Sequence, residues 1–330
     1  MTDEMKTGCV GRFSIDVPEE TEVEFGPARV DGINIVTFNE SLDAFHKRLA
    51  ERESEIQSMP DRPGGNKNLE QAGAVSTDNG IEGKIFVHSR TITEGTQGNR
   101  LEAERYRYEG VTIEALVHGN SIRIDLSAAG RDYEWIEDLP ALVDKLVANP
   151  GNSIPTESGF CIEHAYIRDP LTADQHETAS LFACQPSHPD IDLMLILGAG
   201  LKPDEQGLLE RSNEGLAERP LAERMRIKQL RAAPRKISRL FGDELVERFV
   251  EMNDANVHSF WWEAKGTEDD VLQPHISFKM NTGDGFNGPV PSSLPEKSAL
   301  ALWDAMCASL RIRKTSAKPN TTEPLAVHDK

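Results

Sequence analysis

The 330-residue sequence has no long apolar run: nowhere does it approach the about 20 consecutive apolar residues that a membrane-spanning helix needs. Its first eight residues contain no apolar core, so the sequence as it begins predicts no signal peptide and, taken literally, a cytoplasmic protein. Aromatic residues make up only 6% of the chain and apolar residues 38%, which permits hydrophobic cores of modest size. We therefore expect a globular protein without membrane insertion.

The sequence also lacks the usual patterns of metal sites. It has four cysteines but no Cys-x-x-Cys pair, and none of its nine histidines belongs to a His-Glu-x-x-His pattern. We predict no metal and no cofactor. Two disulfides are possible in an oxidising compartment, but the sequence leaves open whether they form; the cysteines are Cys9, Cys161, Cys184 and Cys307.

Positive charge is scarce relative to negative charge, and the net charge is −19. The acidic excess is spread over both halves of the chain rather than confined to a tail. Such a field repels nucleic acid and anionic membranes and favours a basic partner, although simple solubility explains it equally well. We expect no nucleic-acid partner.

Catalytic patterns are incomplete wherever they begin. Gly198-Ala-Gly200 follows a predicted strand, but Pro203 stands where a dinucleotide fingerprint needs its third glycine, which favours a flexible turn. Ser187, His188 and Asp190 lie in one turn and cannot converge as a nucleophile triad. No Gly-x-Ser-x-Gly elbow occurs.

Single candidate residues are better explained by structural roles. Cys161 and His164 point to opposite faces of a predicted strand, so we expect Cys161 to be a buried structural cysteine. His258 and His275 lie on neighbouring predicted strands and can approach each other, but core or surface histidines are the simpler interpretation.

Two charged segments are candidate contact surfaces. The acidic run at residues 268–270 lacks the ligand spacing of a calcium loop, so we expect a solvated loop tip or a partner contact. The basic run at residues 224–239 has no interleaved aromatics for stacking on bases. We predict that it forms a solvated helix face, partly paired with nearby glutamates: Glu210, Glu214, Glu218 and Glu223.

The order of segments in the first half of the chain recurs in the second half. Residues 9–18 and 159–170 each read as a short strand closed by proline, and each is followed by a second apolar run, at 33–38 and 191–197. A long charged helix follows in each half, and each half closes on a helix with a tryptophan, Trp135 or Trp303. The pattern predicts an α+β protein of two tandem lobes, each an antiparallel sheet packed with helices, that arose by divergent duplication.

Periodicity and turn residues give the following elements. In the first half we predict helices at 41–58 and 133–147 and strands at 84–93, 101–108, 111–118 and 121–126, with tight turns at 109–110 and 119–120. In the second half we predict helices at 203–230, 237–252 and 295–310 and strands at 258–265 and 275–281. Breakers at 149–155 divide the chain into domains 1–150 and 151–313, followed by a polar, disordered tail at 314–330.

Three stretches together resemble the Tli immunity proteins of type VI secretion, which neutralise class-four Tle phospholipases. They are residues 9–18, residues 156–163, and the closing region that runs from Met280-Asn-Thr-Gly through Trp303 to Arg313. The resemblance extends over nearly the whole chain, from Cys9 to Arg313. It implies a two-domain α+β protein that is not an enzyme and that holds its cognate lipase between two lobes. It also implies the periplasm as the compartment, although no export signal is visible.

We accordingly expect a non-covalent immunity protein whose partner is a lipase-type toxin. Exposed acidic loop positions are the predicted partner contacts: Glu268, Asp269, Asp270 and Asp284. Two alternatives remain open from the sequence. One is a hydrolase or nucleotide-dependent enzyme that uses the Gly198-Ala-Gly200 turn, and the other is a cell-envelope scaffold without a toxin partner.

Overall fold

A computed structural model of the chain describes residues 4–62, 66–99, 102–132, 136–169 and 175–315. Antiparallel strands dominate it, which confirms the α+β class. Its helices are α1 Leu42–Ser58, α2 Asp138–Asp144, α3 Leu208–Glu218, α4 Leu221–Arg224 and α5 Glu296–Ser309. The predicted helices at 41–58 and 295–310 are confirmed as α1 and α5, and Ser41 caps α1 by accepting a hydrogen bond from the Ala44 amide at 3.3 Å.

The strands repeat one order in the two halves. The first half contains β1 Met5–Val10, β2 Phe13–Pro18, β3 Glu22–Phe25, β4 Ala28–Val30, β5 Ile33–Asn39, β6 Leu69–Ser76, β7 Glu82–Asn99, β8 Glu102–Gly119, β9 Ile122–Arg131 and β10 Leu146–Ala148. The second half contains β11 Gly159–Ile162, β12 Ala165–Arg168, β13 Glu177–Gln185, β14 His188–Ala199, β15 Ile227–Ile237, β16 Leu240–Val250, β17 Asn256–Ala264, β18 His275–Thr282 and β19 Arg311–Ile312. In each half, a hairpin is followed by paired strands, a helical segment, a four-stranded meander, a second helix and a short strand. This repeated order is the one that a duplication produces.

One 13-stranded antiparallel sheet runs through both halves. Its order is β15-β16-β17-β18-β14-β13-β4-β5-β9-β8-β7-β6, with β3 also paired to β13. The second-half order mirrors the first around the junction where β13 pairs with β3 and β4. The sheets of the two lobes are therefore joined edge to edge, and β13 does not remain an exposed edge strand.

The two opening hairpins exchange partners between the halves. Strand β2 pairs with β19, the short strand that follows α5, while β12 pairs with β10, the short strand that follows α2. A disulfide between Cys9 and Cys161 links the two hairpins. Gly11 has a φ of +54° and exchanges two backbone hydrogen bonds with Cys161. These bonds bring the two hairpins close enough for the disulfide to form.

The hydrophobic core lies on one face of the long sheet, under the hairpins, α2 and α5. Trp303 of α5 is fully buried and stacks on Phe278 with ring centroids 4.7 Å apart. Burying a side chain of this kind contributes roughly 1.5–3 kcal/mol relative to leaving it exposed. The Asp16 amide donates to Ser309 Oγ at 2.8 Å and the Asp16 carboxylate accepts from Arg311 at 3.1 Å, so the first hairpin is also fastened to the end of α5.

A buried ion pair holds the first hairpin on the sheet. Arg12, in the β1–β2 turn, donates to Glu177 of β13 at 2.6 and 2.8 Å and to Asp169 at 3.1 Å. Burial raises the pKa of Glu177, and the Arg12 guanidinium opposes that shift. Loss of one partner would leave a buried charge unpaired. The pair therefore fixes the position of the hairpin more than it adds to the free energy of unfolding.

The predicted helix at 203–230 is confirmed over α3 and α4, on either side of Pro220, and is wrong from residue 227 onward, while the predicted helix at 237–252 is wrong. Residues 227–237 and 240–250 form the strands β15 and β16, and only α3 and α4 are helical in this region. In β16 adjacent residues are covered on opposite faces, Val246 by the core and Leu245 beneath α3. Burial on both faces produces apolar doublets that resemble helical spacing.

Two smaller expectations change in the first half. The predicted turn at 109–110 is wrong, because β8 continues through it and Gly110 packs against the backbone of Gly130. Among the described residues of the predicted helix at 133–147, only α2 is α-helical, and Leu146 belongs to β10. Trp135, Leu101 and the tail from 316 onward lie outside the described residues.

Candidate functional site

The Gly198-Ala-Gly200 segment ends a strand without starting a helix. Strand β14 ends at Ala199, Gly200 has a φ of +73°, and α3 begins only at Leu208. A side chain at Gly200 would lie 2.5 Å from the His176 ring. The glycine therefore serves a close turn, and the strand-to-helix geometry that binds pyrophosphate is not formed here.

The candidate nucleophiles and bases hold the structure together. His188 contacts Ser293 through Nδ1 at 2.8 Å, while Asp190 accepts backbone hydrogen bonds from Gly283 and Ser293. Cys161 is confirmed as a buried structural cysteine by its disulfide with Cys9. His188 and Asp190 thus tie the loop after β18 to β14, and the disulfide ties the first hairpin to the second.

His258 and His275 do not approach each other. His258 is opposite Thr282 in the β17–β18 register, at one end of the pair, while His275 is opposite Gly198 at the other end of β18. The buried His258 ring contacts Thr282 at 3.1 Å and lies 3.6 Å from Glu296 of α5. Burial lowers the pKa of His258, and Glu296 opposes that shift.

The four predicted acidic contacts lie at opposite ends of the β17–β18 pair. Glu268, Asp269 and Asp270 belong to the connection between the two strands, whereas Asp284 follows β18. Glu268, Asp269 and Asp284 are exposed. Asp270 is half-buried and accepts hydrogen bonds from Leu272 and Gln273, so it shapes its own turn. Contact of these residues with a partner stays a prediction.

The basic run forms strand β15 rather than a helix face, so its predicted pairing with the α3 and α4 glutamates is wrong. Arg231 instead donates to Asp304 of α5 at 2.7 and 2.9 Å. Arg235 donates to Glu244, which also accepts from the Trp303 indole at 2.7 Å. The cations of this segment therefore fasten the edge strand to the final helix.

The face of the sheet opposite the core carries the surface best suited to a partner. Helix α1 packs on this face over Phe86 of β7 and Leu116 of β8. Residues that lie directly opposite each other in an antiparallel ladder point to the same face of the sheet. Followed from strand to strand, the pairs place Leu116 of β8 and Trp261 of β17, beside α3, on the same face. The two helices thus stand on one face at its two ends, with β9, β5, β4, β13, β14 and β18 between them.

We call this uncovered region the open face. At about 4.8 Å per strand, its six strands extend over about 30 Å between the helices. Phe38 and Phe182 are 46% and 39% exposed, which leaves aromatic surface beside polar groups. Its further members, on β3, β5, β13, β14 and β18, are Glu24, Asn34, Val36, Cys184, Asp192, Met194, Ile196, Lys279 and Asn281.

Charges on the open face are only partly satisfied within the chain. Asp192 accepts from Asn281 through Oδ2 at 3.1 Å, while its Oδ1 is shielded from solvent and has no hydrogen-bond partner among the described residues. Burial raises the pKa of Asp192, and the nearby Asp284 adds to that shift. Lys279 lies over the Trp261 ring at 3.6 Å, and burial lowers its pKa.

Both helices are attached to the sheet by equivalent ion pairs. Arg52 of α1 donates to Glu114 of β8 at 2.7 and 3.0 Å, and Arg211 of α3 donates to Glu263 of β17 at 2.7 and 2.8 Å. Strands β8 and β17 hold the same place in the two repeats, so the helices are fixed in corresponding positions. The Arg52–Glu114 pair is bidentate through Nε and Nη2, whereas Arg211 reaches both Glu263 oxygens through Nη2 alone. Both pairs limit the freedom of α1 and α3 to rotate on the sheet.

A groove of about 340 Å³ opens between α3 and the sheet. It is lined by apolar and charged side chains from α3, β15, β16 and β17, including Leu216, Arg219, Leu245, Glu247, Phe249 and Trp261. Within the described ranges, no group of three or more His, Cys, Asp or Glu side chains is placed to hold a metal ion. No helix in that part of the chain is long and apolar enough to cross a membrane.

Sequence reasoning missed the open face. Its residues alternate with core residues along β5, β13 and β14, and that alternation was a signal that one face of each strand is not in the core. The alternation gives no information on the pairing of β3 and β4 with β13, because that pairing joins residues about 150 positions apart.

Comparison with known families gives one match in each half of the chain. Family models match in both halves: the Tle cognate immunity protein 4 N-terminal domain over residues 6–134 and the C-terminal domain over residues 153–315. No curated protein matches the sequence.

Solved structures share the fold. The apo immunity protein TplEi of the type VI secretion system from Pseudomonas aeruginosa aligns with a TM-score of 0.75 at 22% identity, over 96% of this chain and 100% of that one. The same protein complexed with "L" peptide gives 0.73 at 21% identity, with the same coverage. A chain of the Tle4-Tli4 complex gives 0.75 at 21% identity, again over 96% of this chain and 100% of that chain. With both domain models matched in order along the sequence, the chain belongs to the Tle cognate immunity protein 4 family.

Proposed function

We propose that this protein binds and inhibits a phospholipase toxin of the type VI secretion system by holding it on the open face between α1 and α3. One observation carries the proposal: two helices stand on the same face of one continuous sheet, with six uncovered strands between them. Membership of the immunity family supplies the class of partner. The Tle4-Tli4 complex is a solved assembly of a structurally similar chain, and it supports a protein effector as the ligand.

The composition of the open face suits a tight protein complex. Aromatic and methionine side chains are enriched in protein interfaces, and the exposed Phe38 and Phe182 and the half-buried Met194 lie on this face. The net charge of −19 speeds encounter with a basic surface on the toxin. Inhibition then follows from blocked access or blocked lid movement of the lipase, without catalysis by this chain.

The periplasm is the compartment that we propose for this encounter. The Cys9–Cys161 disulfide supports that compartment, because disulfides persist in oxidising environments and are rare in the cytosol.

Mixing the purified protein with the lipase encoded beside its gene tests the proposal. We expect phospholipid hydrolysis to fall in proportion to added protein and to stop near one equivalent. Phe182→Asp should weaken inhibition at least about tenfold, because it places an unpaired charge in a desolvated contact. Ile154→Asp is the matched control: Ile154 is 40% exposed against 39% for Phe182, and it lies in the β10–β11 connection, away from the open face.

Undiminished hydrolysis at a molar excess of the wild-type protein would contradict the proposal and favour a scaffold without a toxin partner. Equal inhibition by the two aspartate variants would contradict the placement of the toxin on the open face.

A further inference from the structure

The two repeats differ at one equivalent place, the space between the helix and the sheet. In the first half, α1 has 17 residues and closes this space with Phe45, Leu49 and Ile56, which pack on Phe86 and Leu116. In the second half, α3 has 11 residues and buries only Leu208. Leu216 and Phe249 remain half-buried, and the space between them is the α3 groove.

The α3 groove has apolar walls, one acidic group and two arginines, of which Arg211 is paired with Glu263 and Arg219 is exposed at the rim. Leu216, Phe249 and Trp261 supply apolar surface, and Glu247 of β16 lies among them. The Glu247 carboxylate makes no hydrogen bond and no salt bridge with any described residue, in contrast to that of Glu263, which Arg211 neutralises. Burial raises the pKa of Glu247, and only the more distant Arg219 opposes that shift.

A lysine or arginine side chain combines the two properties that this groove complements. Its aliphatic stem can lie along apolar walls while its charged head reaches a carboxylate. A neutral apolar side chain would fill the walls but would leave the Glu247 carboxylate desolvated without a partner, which costs free energy. The acidic surface of the whole chain also favours a cationic ligand.

We propose that the α3 groove is an anchor pocket for a lysine or arginine side chain of the bound toxin, with its stem against Leu216 and Trp261 and its head on Glu247. This proposal rests on the proposed function, and it names the site in the second half where the partner is held. The first half has no counterpart, because α1 fills the equivalent space. The toxin is therefore gripped asymmetrically by two otherwise similar lobes.

Gly215 offers a way to block the groove without damage to the fold. It lines the groove within α3, and a Cβ built there meets no atom within 4 Å. Gly215→Phe should occupy the groove, and replacing a helical glycine should leave the melting temperature unchanged or raised. We expect the dissociation constant for the lipase encoded beside the gene, measured by titration calorimetry, to rise at least about tenfold.

Glu247→Gln tests the charge while it keeps the size of the side chain. We expect binding to weaken about three- to tenfold and to depend less on salt, because the partner's cation loses its carboxylate. Glu210→Gln makes the same change on the exposed side of α3, and its dissociation constant should stay within about twofold of wild type.

The outcomes separate the two proposals. If the wild-type protein binds the lipase and Gly215→Phe binds it equally well, the anchor pocket is wrong and the proposed function stands. If Gly215→Phe weakens binding while Glu247→Gln does not, the groove is a contact but its ligand is not a cation, which overturns the anchor as proposed. A wild-type protein that does not bind the lipase contradicts the proposed function itself, and the anchor falls with it.

Discussion

Glu114 shows at the scale of one residue how α1 is fixed on the sheet. Its carboxylate accepts two hydrogen bonds from Arg52 and lies 3.3 Å from the ring of His88. Burial alone would raise the pKa of Glu114, but the contacts with His88 and Arg52 outweigh it and lower the pKa to about 2. The ionised form is therefore favoured more strongly in the folded protein than in the unfolded chain.

The pH dependence of stability follows from the direction of this shift. A lowered folded-state pKa contributes stability that is present above the unfolded value, near 4.5, and is lost as the pH falls toward about 2. Glu114→Gln should lower the free energy of unfolding by about 1–2 kcal/mol at pH 7, allowing for solvent screening of a partly exposed pair. Urea unfolding from pH 7 to pH 2 should show this difference shrink below pH 4.5.

The matched control for this prediction is Glu51→Gln, on the exposed side of α1, where the expected change stays within about 0.5 kcal/mol. A deficit of Glu114→Gln that does not change between pH 7 and pH 2 would contradict the ionic origin of the effect.

At the scale of elements, predictability from sequence depends on how many faces of an element are buried. Helices α1 and α5 bury one side each, so their apolar spacing is unambiguous and the predicted bounds agree with the structure. Strand β16 buries residues on both faces, so its spacing resembles a helix and the predicted helix was wrong. Pro234 in β15 is tolerated because this strand is an edge of the sheet, and it was a usable signal against a helix.

The exchanged hairpins could not be predicted, because their partners lie in the other half of the chain. Strand β2 pairs with β19 across almost the whole sequence, and the disulfide links residues 152 positions apart. Local spacing carries no information about contacts of that separation. The duplicated order of elements was visible, and the topology confirms it, but the exchange between copies appears only in the structure.

Removing the disulfide should destabilise the protein measurably. Because the bond closes a loop of about 150 residues, the double variant Cys9→Ala, Cys161→Ala should lose about 2–4 kcal/mol of unfolding free energy, chiefly through a less restricted unfolded chain. Guanidinium unfolding of the oxidised wild type and of the variant measures the difference. Cys184→Ala, an exposed thiol outside any disulfide, is the control and should change stability by less than about 0.5 kcal/mol.

An unfolding midpoint of the double variant equal to that of the oxidised wild type would contradict the account of the hairpin link. The same midpoint should be reached when the wild type is unfolded in the presence of a reductant.

At the scale of the whole molecule, the junction of β13 with β3 and β4 makes the surface that we assign to the toxin. Without that junction the two lobes would present separate sheets, and α1 and α3 would not share a face. Half of the open face comes from each copy, so neither half alone contains the proposed site. The two-lobed class was predictable from the repeated order of elements. The open face between the helices was not, because it depends on long-range strand pairing.

Cys184 provides a native probe of the open face. Of the four cysteines, two are joined in the disulfide and Cys307 is buried, with a thiol pKa raised by burial. Cys184 is exposed, lies opposite Asp192 in the β13–β14 ladder, and is two residues from Phe182. A thiol reagent should therefore modify the folded protein at this position alone.

The rate at which N-ethylmaleimide modifies Cys184, measured by mass spectrometry with and without saturating lipase, tests the central claim most directly. We predict that bound lipase slows the modification at least about fivefold, because the toxin covers the open face. An unchanged rate under conditions in which phospholipid hydrolysis is fully inhibited would contradict that placement.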